Sequence, residues 1–201
     1  MSGLRPEVRG RGLPRGRNRL RMRFGSWNVG TLTGKSIELV KILKSRKVNI
    51  ACIQETKWVG NKAREIDGFK LWYSGASRTK NGVGILVDES LREHVVEVRR
   101  DSDRIMAIKL VVGLTPLNVV CGYAPQVGLG EEARSSFWEK LDEMVRSIPR
   151  EEFLVVGGDF NGHIGTNRAG YSGVHGDFGF GDRNESGVAL LDFSMAHDLF
   201  V

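Results

Sequence analysis

The chain has 201 residues, of which 40% are hydrophobic, 30 are Lys or Arg, 24 are Asp or Glu, 26 are glycine and two are cysteine. That is enough apolar material for a sizeable core, and it excludes a collagen repeat, a coiled coil and a wholly disordered chain. No apolar run approaches the roughly 18 residues of a membrane span, and two cysteines supply neither a disulfide framework nor a cysteine-rich zinc site.

The net charge of +6 is unevenly spread. Residues 1–23 hold eight arginines against one acid, Glu7, and the remaining residues hold 22 basic against 23 acidic side chains. The high isoelectric point therefore belongs to the tail, and the body is near neutral. Residues 1–21 carry two prolines, four glycines and no periodic apolar face, so they are expected to form a disordered, arginine-rich tail. The tail lacks the apolar stretch of a secretory signal. It is acid-poor like a mitochondrial presequence, but short of serine and without an amphipathic stripe. A flexible arm adding phosphate contacts and a solvated leader are both open readings.

The body, residues 22–201, reads as one domain. Met22–Val29 is a strand candidate, followed by a helix that Thr33 can cap, with Ile37, Val40 and Leu43 as its apolar stripe to about Arg46. Asn49–Gln54 is a short apolar strand ending in Glu55, so the opening reads as a strand–helix–strand unit. Phe69–Ser74, Gly82–Val87, Val95–Arg99, Arg104–Val112 and Leu117–Tyr123 follow as strands with turn signals such as Lys80-Asn81-Gly82 and no helix between them. They are expected to pair antiparallel. Glu131–Ile148 has helical spacing, with Glu131 and Glu132 complementing its N-terminal dipole. Phe153–Asp159 is a buried strand, 161–186 a long loop with seven glycines, Gly187–His197 a helix and Leu199–Val201 the start of another strand. A domain that stops as a strand begins is expected to be incomplete at its C-terminus.

Glu55 and Asp159 each follow a run of buried apolar residues, which places a carboxylate at the rim of a sheet on a rigid support. Asn28 stands in the same relation to its strand. Asn161 follows Asp159 by two, so in extended chain both face one side, and His163 continues the alternation. Hard oxygen ligands without cysteine suit Mg²⁺ or Mn²⁺ rather than zinc. Such a cluster suits phosphoryl transfer, with a metal on the phosphate, a carboxylate on water and amides on the transition-state oxygens. Position alone leaves a bland alternative open, because acids at strand ends also cap helices and decorate solvated turns.

Ser26-Trp27-Asn28, Ile53-Gln54-Glu55-Thr56, Gly82-Val83-Gly84-Ile85, Cys121-Gly122-Tyr123-Ala124-Pro125 and Gly158-Asp159-Phe160-Asn161 occur in that order. Together they resemble the endonuclease/exonuclease/phosphatase superfamily, which includes apurinic-site endonucleases and DNase I-like enzymes. The stretches Trp27–Leu32, Arg104-Ile105-Met106 and Arg183–Gly187 are most similar to craniofacial development protein 2-like sequences and non-LTR retrotransposon endonucleases. The resemblance implies an α+β fold: a four-layer α/β sandwich, DNase I-like, of two mixed β-sheets packed face to face with outer helices. It implies hydrolysis of a phosphodiester, DNA above all, with Mg²⁺ or Mn²⁺. Carried over residue by residue, Glu55 is the main metal ligand with Asn28 near the metal, Asp159 orients or deprotonates water, and Asn161 and Tyr123 hydrogen-bond the scissile phosphate. The family's closing Ser-Asp-His motif does not occur in these residues. Weak or absent nuclease activity is therefore expected, with a non-catalytic binding relic or a phosphatase of the same superfamily as alternatives.

Of the four histidines, His94 is expected in a strand, His197 at a helix end, His175 in a solvated loop, and His163 near the site as a candidate pH-sensitive group. Trp58, Trp72 and Arg78 could line a DNA groove, although core packing explains the tryptophans equally well. Gly30–Ser36 (GTLTGKS) imitates a phosphate-binding loop but has three residues between its glycines where that loop needs four. Cys52 and Cys121 are expected to be buried structural thiols in a reducing compartment. An intracellular, nuclear monomer without membrane attachment is the accompanying expectation.

Overall fold

The computed structural model describes residues 21–201. The arginine-rich tail, and the disorder and phosphate contacts expected of it, lies outside the described residues except for Arg21. The described chain forms two compact units, one of residues 21–123 and 146–159 and the other of 124–145 and 160–201.

The first unit is built on strands β1 Phe24–Asn28, β2 Ile50–Gln54, β3 Gly60–Ile66, β4 Phe69–Gly75, β5 Val83–Val87, β6 Val95–Arg100, β7 Ile105–Val112, β8 Thr115–Tyr123 and β9 Phe153–Asp159, with one helix, α1 Ser36–Ser45. They form a five-stranded sheet of order β1-β2-β5-β4-β3 and a four-stranded sheet of order β6-β7-β8-β9. Each sheet is mixed, with one parallel pair, β1 with β2 and β8 with β9, among antiparallel neighbours. The period-2 alternation of apolar residues sorts the faces. Ile50, Cys52, Val83, Ile85, Met106, Ile108, Val119 and Cys121 meet between the sheets. Ala51, Ile53, Leu71 and Leu86 on the opposite face meet Leu39, Val40 and Leu43 of α1. These two mixed sheets packed face to face are the expected DNase I-like sandwich.

The second unit carries the helices α2 Gly130–Arg146 and α3 Glu185–Ala196. Asn184 caps α3 by accepting the Gly187 N–H at 2.8 Å. His197 follows the helix and pairs through Nε2 with Asp142 Oδ1 at 2.9 Å. Trp138 stacks on Phe160 and tilts against Phe193, giving this unit its own aromatic cluster.

Several local expectations are corrected. Thr33 does not cap α1, whose N-cap is Lys35 with no side-chain bond. Ile37 is 58% exposed, one position off the stripe that Leu39, Val40 and Leu43 bury. His94 closes a short 3₁₀ turn, Arg92–His94, and the strand begins after it. Strand β3 was not expected: its central residues Asn61–Glu65 are exposed and, apart from Ala63, polar, and it is held by its ladder with β4 rather than by burial. No strand is assigned to Leu199–Val201, although Val201 exchanges backbone hydrogen bonds with Val174 and Gly176. His175 is not solvated. It is 2% exposed, its Nδ1 accepts the Asp177 N–H at 3.1 Å, and its Nε2 therefore carries the proton donated to Gly165 O at 3.0 Å.

Candidate active site

The parallel pairs explain why the site residues meet. In β1–β2, Asn28 is paired with Gln54, and in β8–β9, Tyr123 is paired with Asp159. Each pair therefore delivers two strand C-termini to one rim. Across that rim the Asn28 Nδ2 group donates to Glu55 Oε1 at 3.0 Å and to Asp159 Oδ2 at 2.9 Å. The Tyr123 hydroxyl donates to the same Glu55 Oε1 at 2.8 Å. Four residues from both sheets are thus joined by three hydrogen bonds, and the two carboxylates share one amide. Asn28 is itself oriented, because its Oδ1 accepts the Gly30 N–H at 3.0 Å.

Glu55 lies in a turn of unusual backbone. Glu55 and Lys57 have φ of +57° and +53°, left-handed values that cost a non-glycine residue about 1–3 kcal/mol and persist only where the surroundings impose them. The surroundings here are backbone bonds: Thr56 N–H to Gly82 O at 3.0 Å, Lys57 N–H to Asn81 O at 3.1 Å, and Leu32 N–H to Thr56 O at 3.1 Å. Thr56 is wholly buried. Gly82 is the close approach that permits this, since a Cβ there would stand 2.3 Å from Thr56 Oγ1. The loop that imitates a phosphate-binding loop is used the same way: its Leu32 is buried and supports Thr56.

The electrostatics follow from the geometry. Partial burial works to raise the Glu55 pKa, but the hydrogen bonds from Asn28, Tyr123 and Lys57, together with the Lys57 charge, outweigh it and hold the carboxyl below its ordinary value. Lys57 Nζ stands 3.4 Å from Glu55 Oε2. Burial and the bond to Glu55 push the Tyr123 phenol up to about 12, so it is a donor at neutral pH. Arg104 lies over the Tyr123 ring, 5.1 Å from its centroid, and donates through Nη1 to Tyr123 O at 3.1 Å.

The donors are hard oxygens: two carboxylates, a carboxamide and a phenol. Among the described residues no group of three or more His, Cys, Asp or Glu side chains is arranged to hold a metal ion. Such a set is unsuited to zinc. It fits Mg²⁺, which retains several waters and is commonly held by one or two carboxylates.

Of the residues singled out in the sequence, Asn28, Glu55, Tyr123 and Asp159 are brought together. The alternation expected to carry Asn161 and His163 onward from Asp159 does not continue: β9 ends at Asp159, and Asn161 turns left-handed at φ +49°. Asn161 belongs to the second unit, where its Nδ2 donates to Ala124 O at 2.8 Å. His163 is exposed there, and its backbone N–H and C=O bond Asn184. Trp72 is core, 7% exposed, whereas Trp58 is partly exposed and carries the Arg64 guanidinium 4.9 Å above its ring. The thiols of Cys52 and Cys121 are buried as expected. The hydrogen bond with Cys121 and burial push the Cys52 thiol up. Sequence reasoning missed Lys57 and gave Arg104 no role. The only available signals were Lys57's spacing of two from Glu55 and Arg104's place at the head of a strand.

The Endonuclease/Exonuclease/phosphatase family matches residues 25–191. Craniofacial development protein 2 of Bos taurus is 29% identical over 180 residues, covering 89% of this chain but 30% of its own length. The chain thus spans about a third of that relative. The fold is similar to that of an AP endonuclease from Leishmania major (TM-score 0.62, 15% identity, 87% of this chain and 65% of that one). It is also similar to the endonuclease domain of TRAS1, a telomere-specific non-LTR retrotransposon (TM-score 0.54, 18% identity, 83% and 68%). Among the described residues no helix is long and apolar enough to cross a membrane. This chain belongs to the Endonuclease/Exonuclease/phosphatase family.

Proposed function

We propose that the chain carries a phosphodiester hydrolase site of endonuclease type, acting on DNA and dependent on Mg²⁺ or Mn²⁺. The observation that carries this reading is the Asn28 amide bridging the carboxylates of Glu55 and Asp159. Two acids held against one neutral donor form a compact negative locus for a hard cation. Glu55, with Asn28 beside it, would hold the metal, which when bound would neutralise charge on a substrate phosphate. Lys57 faces the same carboxylate and offsets part of its charge. Asp159, held by Asn28 through one oxygen, would orient or deprotonate the attacking water. Tyr123 is the proposed donor to the scissile phosphate, and burial keeps its proton in place across the physiological range. DNA is favoured by similarity to endonucleases and by the arginines of residues 1–23, which suit phosphate.

No Ser-Asp-His triplet occurs in the 201 residues, and this favours slow turnover by this polypeptide on its own. Loss of a phosphate-polarising or acid group costs ~10²–10⁴ in rate. Nicking of supercoiled plasmid with Mg²⁺ or Mn²⁺, at equal concentrations of this polypeptide and one extended through such a motif, tests both parts. Nicking that requires metal and Asp159, and rises with the extension, supports the reading. Nicking unaffected by Asp159→Ala would overturn it. DNA binding without nicking in either polypeptide favours the non-catalytic alternative.

A further inference from the structure

The 55–57 turn hangs by two amides on the carbonyls of Asn81 and Gly82. Those two residues are themselves left-handed, at φ +57° and +94°. Their turn is secured by Asp103, from the β6–β7 connection in the other sheet. Asp103 Oδ2 accepts the Asn81 Nδ2–H at 2.9 Å, and Asp103 O accepts the Gly82 N–H at 3.0 Å. We infer that Asp103 is a positioning residue: by locking the Asn81–Gly82 turn it fixes the Glu55–Lys57 turn, and so aims the Glu55 carboxylate at the site. The inference rests on the metal-holding role proposed for Glu55 and adds the device that sets its geometry.

Two observations beyond this chain of contacts support it. Asp103 forms part of a three-residue corner that grips both sheets at this rim. Ser102 O accepts the Ser74 hydroxyl at 2.7 Å, and Arg104 Nη1 donates to Tyr123 O. One corner thus reaches the Glu55 turn and Tyr123, the two partners of the 2.8 Å phenol–carboxylate bond. The two turns also pack directly on one another: a Cβ at Gly82 would stand 2.3 Å from Oγ1 of buried Thr56.

Asp103→Ala, Asp103→Asn and Asn81→Gly separate the possibilities. Asparagine at 103 keeps an acceptor oxygen for Asn81, whereas alanine removes it. Glycine at 81 keeps the left-handed backbone and deletes only the amide. Mn²⁺ affinity is read by paramagnetic resonance, and amide exchange of Thr56 and Lys57 is read in metal-free protein, with Ile53 and Ile85 as controls. Asp103→Ala and Asn81→Gly are each expected to weaken Mn²⁺ binding ~10–100-fold, the usual effect of removing a group that orients a ligand. Both should speed exchange at Thr56 and Lys57 but not at the controls, and Asp103→Asn should stay within about threefold of wild type on the binding scale used for orienting groups. Unchanged Mn²⁺ affinity and unchanged Thr56 and Lys57 exchange in Asp103→Ala and Asn81→Gly would overturn the inference. Mn²⁺ binding that is indifferent to Glu55→Gln would instead overturn the metal reading, and the exchange data still decide whether the latch exists.

Discussion

The Glu55–Lys57 turn and the 160–184 loop are both irregular, and both are locked rather than loose. In the first, backbone bonds from the Asn81–Gly82 turn impose left-handed geometry on two charged residues. In the second, His175 uses both ring nitrogens, and Arg183 bonds the Ile164 carbonyl while lying over Tyr171. Each lock closes on a glycine. A Cβ at Gly82 would meet Thr56 Oγ1 at 2.3 Å, and one at Gly179 would meet Gly165 O at 1.5 Å. The difference lies in what is presented. The short turn aims a carboxylate into a cluster of polar groups, whereas the long loop presents Phe178 and Phe180, 61% and 75% exposed. Rigidity alone therefore does not identify a chemical site. The convergence of titratable groups from separate strands does.

The largest expected effect breaks the comparison on the chemical side. Asp159→Ala or Glu55→Gln should lower metal-dependent plasmid nicking by ~10²–10⁴, with circular dichroism unchanged. No substitution within 165–183 should approach that loss.

The glycines sharpen it. Gly82→Ala and Gly179→Ala should each destabilise by about 1–3 kcal/mol or more through overpacking, measured by urea unfolding. Of the two, Gly82→Ala should also reduce Mn²⁺ affinity. Equal effects of both on metal binding would erase the distinction drawn between the two segments.

A smaller effect concerns the loop's exit into α3. Asn184→Ala removes the acceptor for the N–H groups of Gly187 and His163. It should cost about 0.5–2 kcal/mol and leave Mn²⁺ binding at the wild-type value.

The smallest effect is confined to the pH extremes. Against the raising effect of burial, hydrogen bonds from Asn28, Tyr123 and Lys57 lower the Glu55 pKa, whereas burial, together with the bond to Glu55, raises that of Tyr123 to about 12. The Glu55 contribution to stability is present above the ordinary carboxylate pKa and fades as pH falls through the lowered folded value. The Tyr123 contribution is complete below the ordinary value of 10.0 and fades as pH rises toward about 12, because the unfolded phenol ionises first. Tyr123→Phe should therefore flatten the alkaline limb of a denaturation-midpoint profile, and Glu55→Gln the acid limb.

Much of this was legible along the chain. Alternating or continuous apolar runs marked eight of the nine strands among the described residues, because burial against a core leaves a period in the sequence. Strand β3 left none, since its middle residues face water and its bonds come from β4. The rim positions of Asn28, Glu55 and Asp159 could be read from where their apolar runs stop, whereas Tyr123 was marked only by the family resemblance. Lys57, Asn81 and Asp103 could not: nothing in their own segments reports that a turn in one sheet is fastened by a loop in the other.

By itself the sequence determined most of the strands and which acids end which strands, because period and apolar content are local properties of a chain; the two-sheet architecture was implied by the resemblance of its motifs. Only the tertiary structure decided that Asn28 bridges the two acids, that Asn161 leaves the strand alternation, and that Asp103 supports Glu55 from another sheet. Hydrogen bonds between segments 22 to 131 residues apart depend on register and packing, and neither has a counterpart in the sequence around any one of the partners.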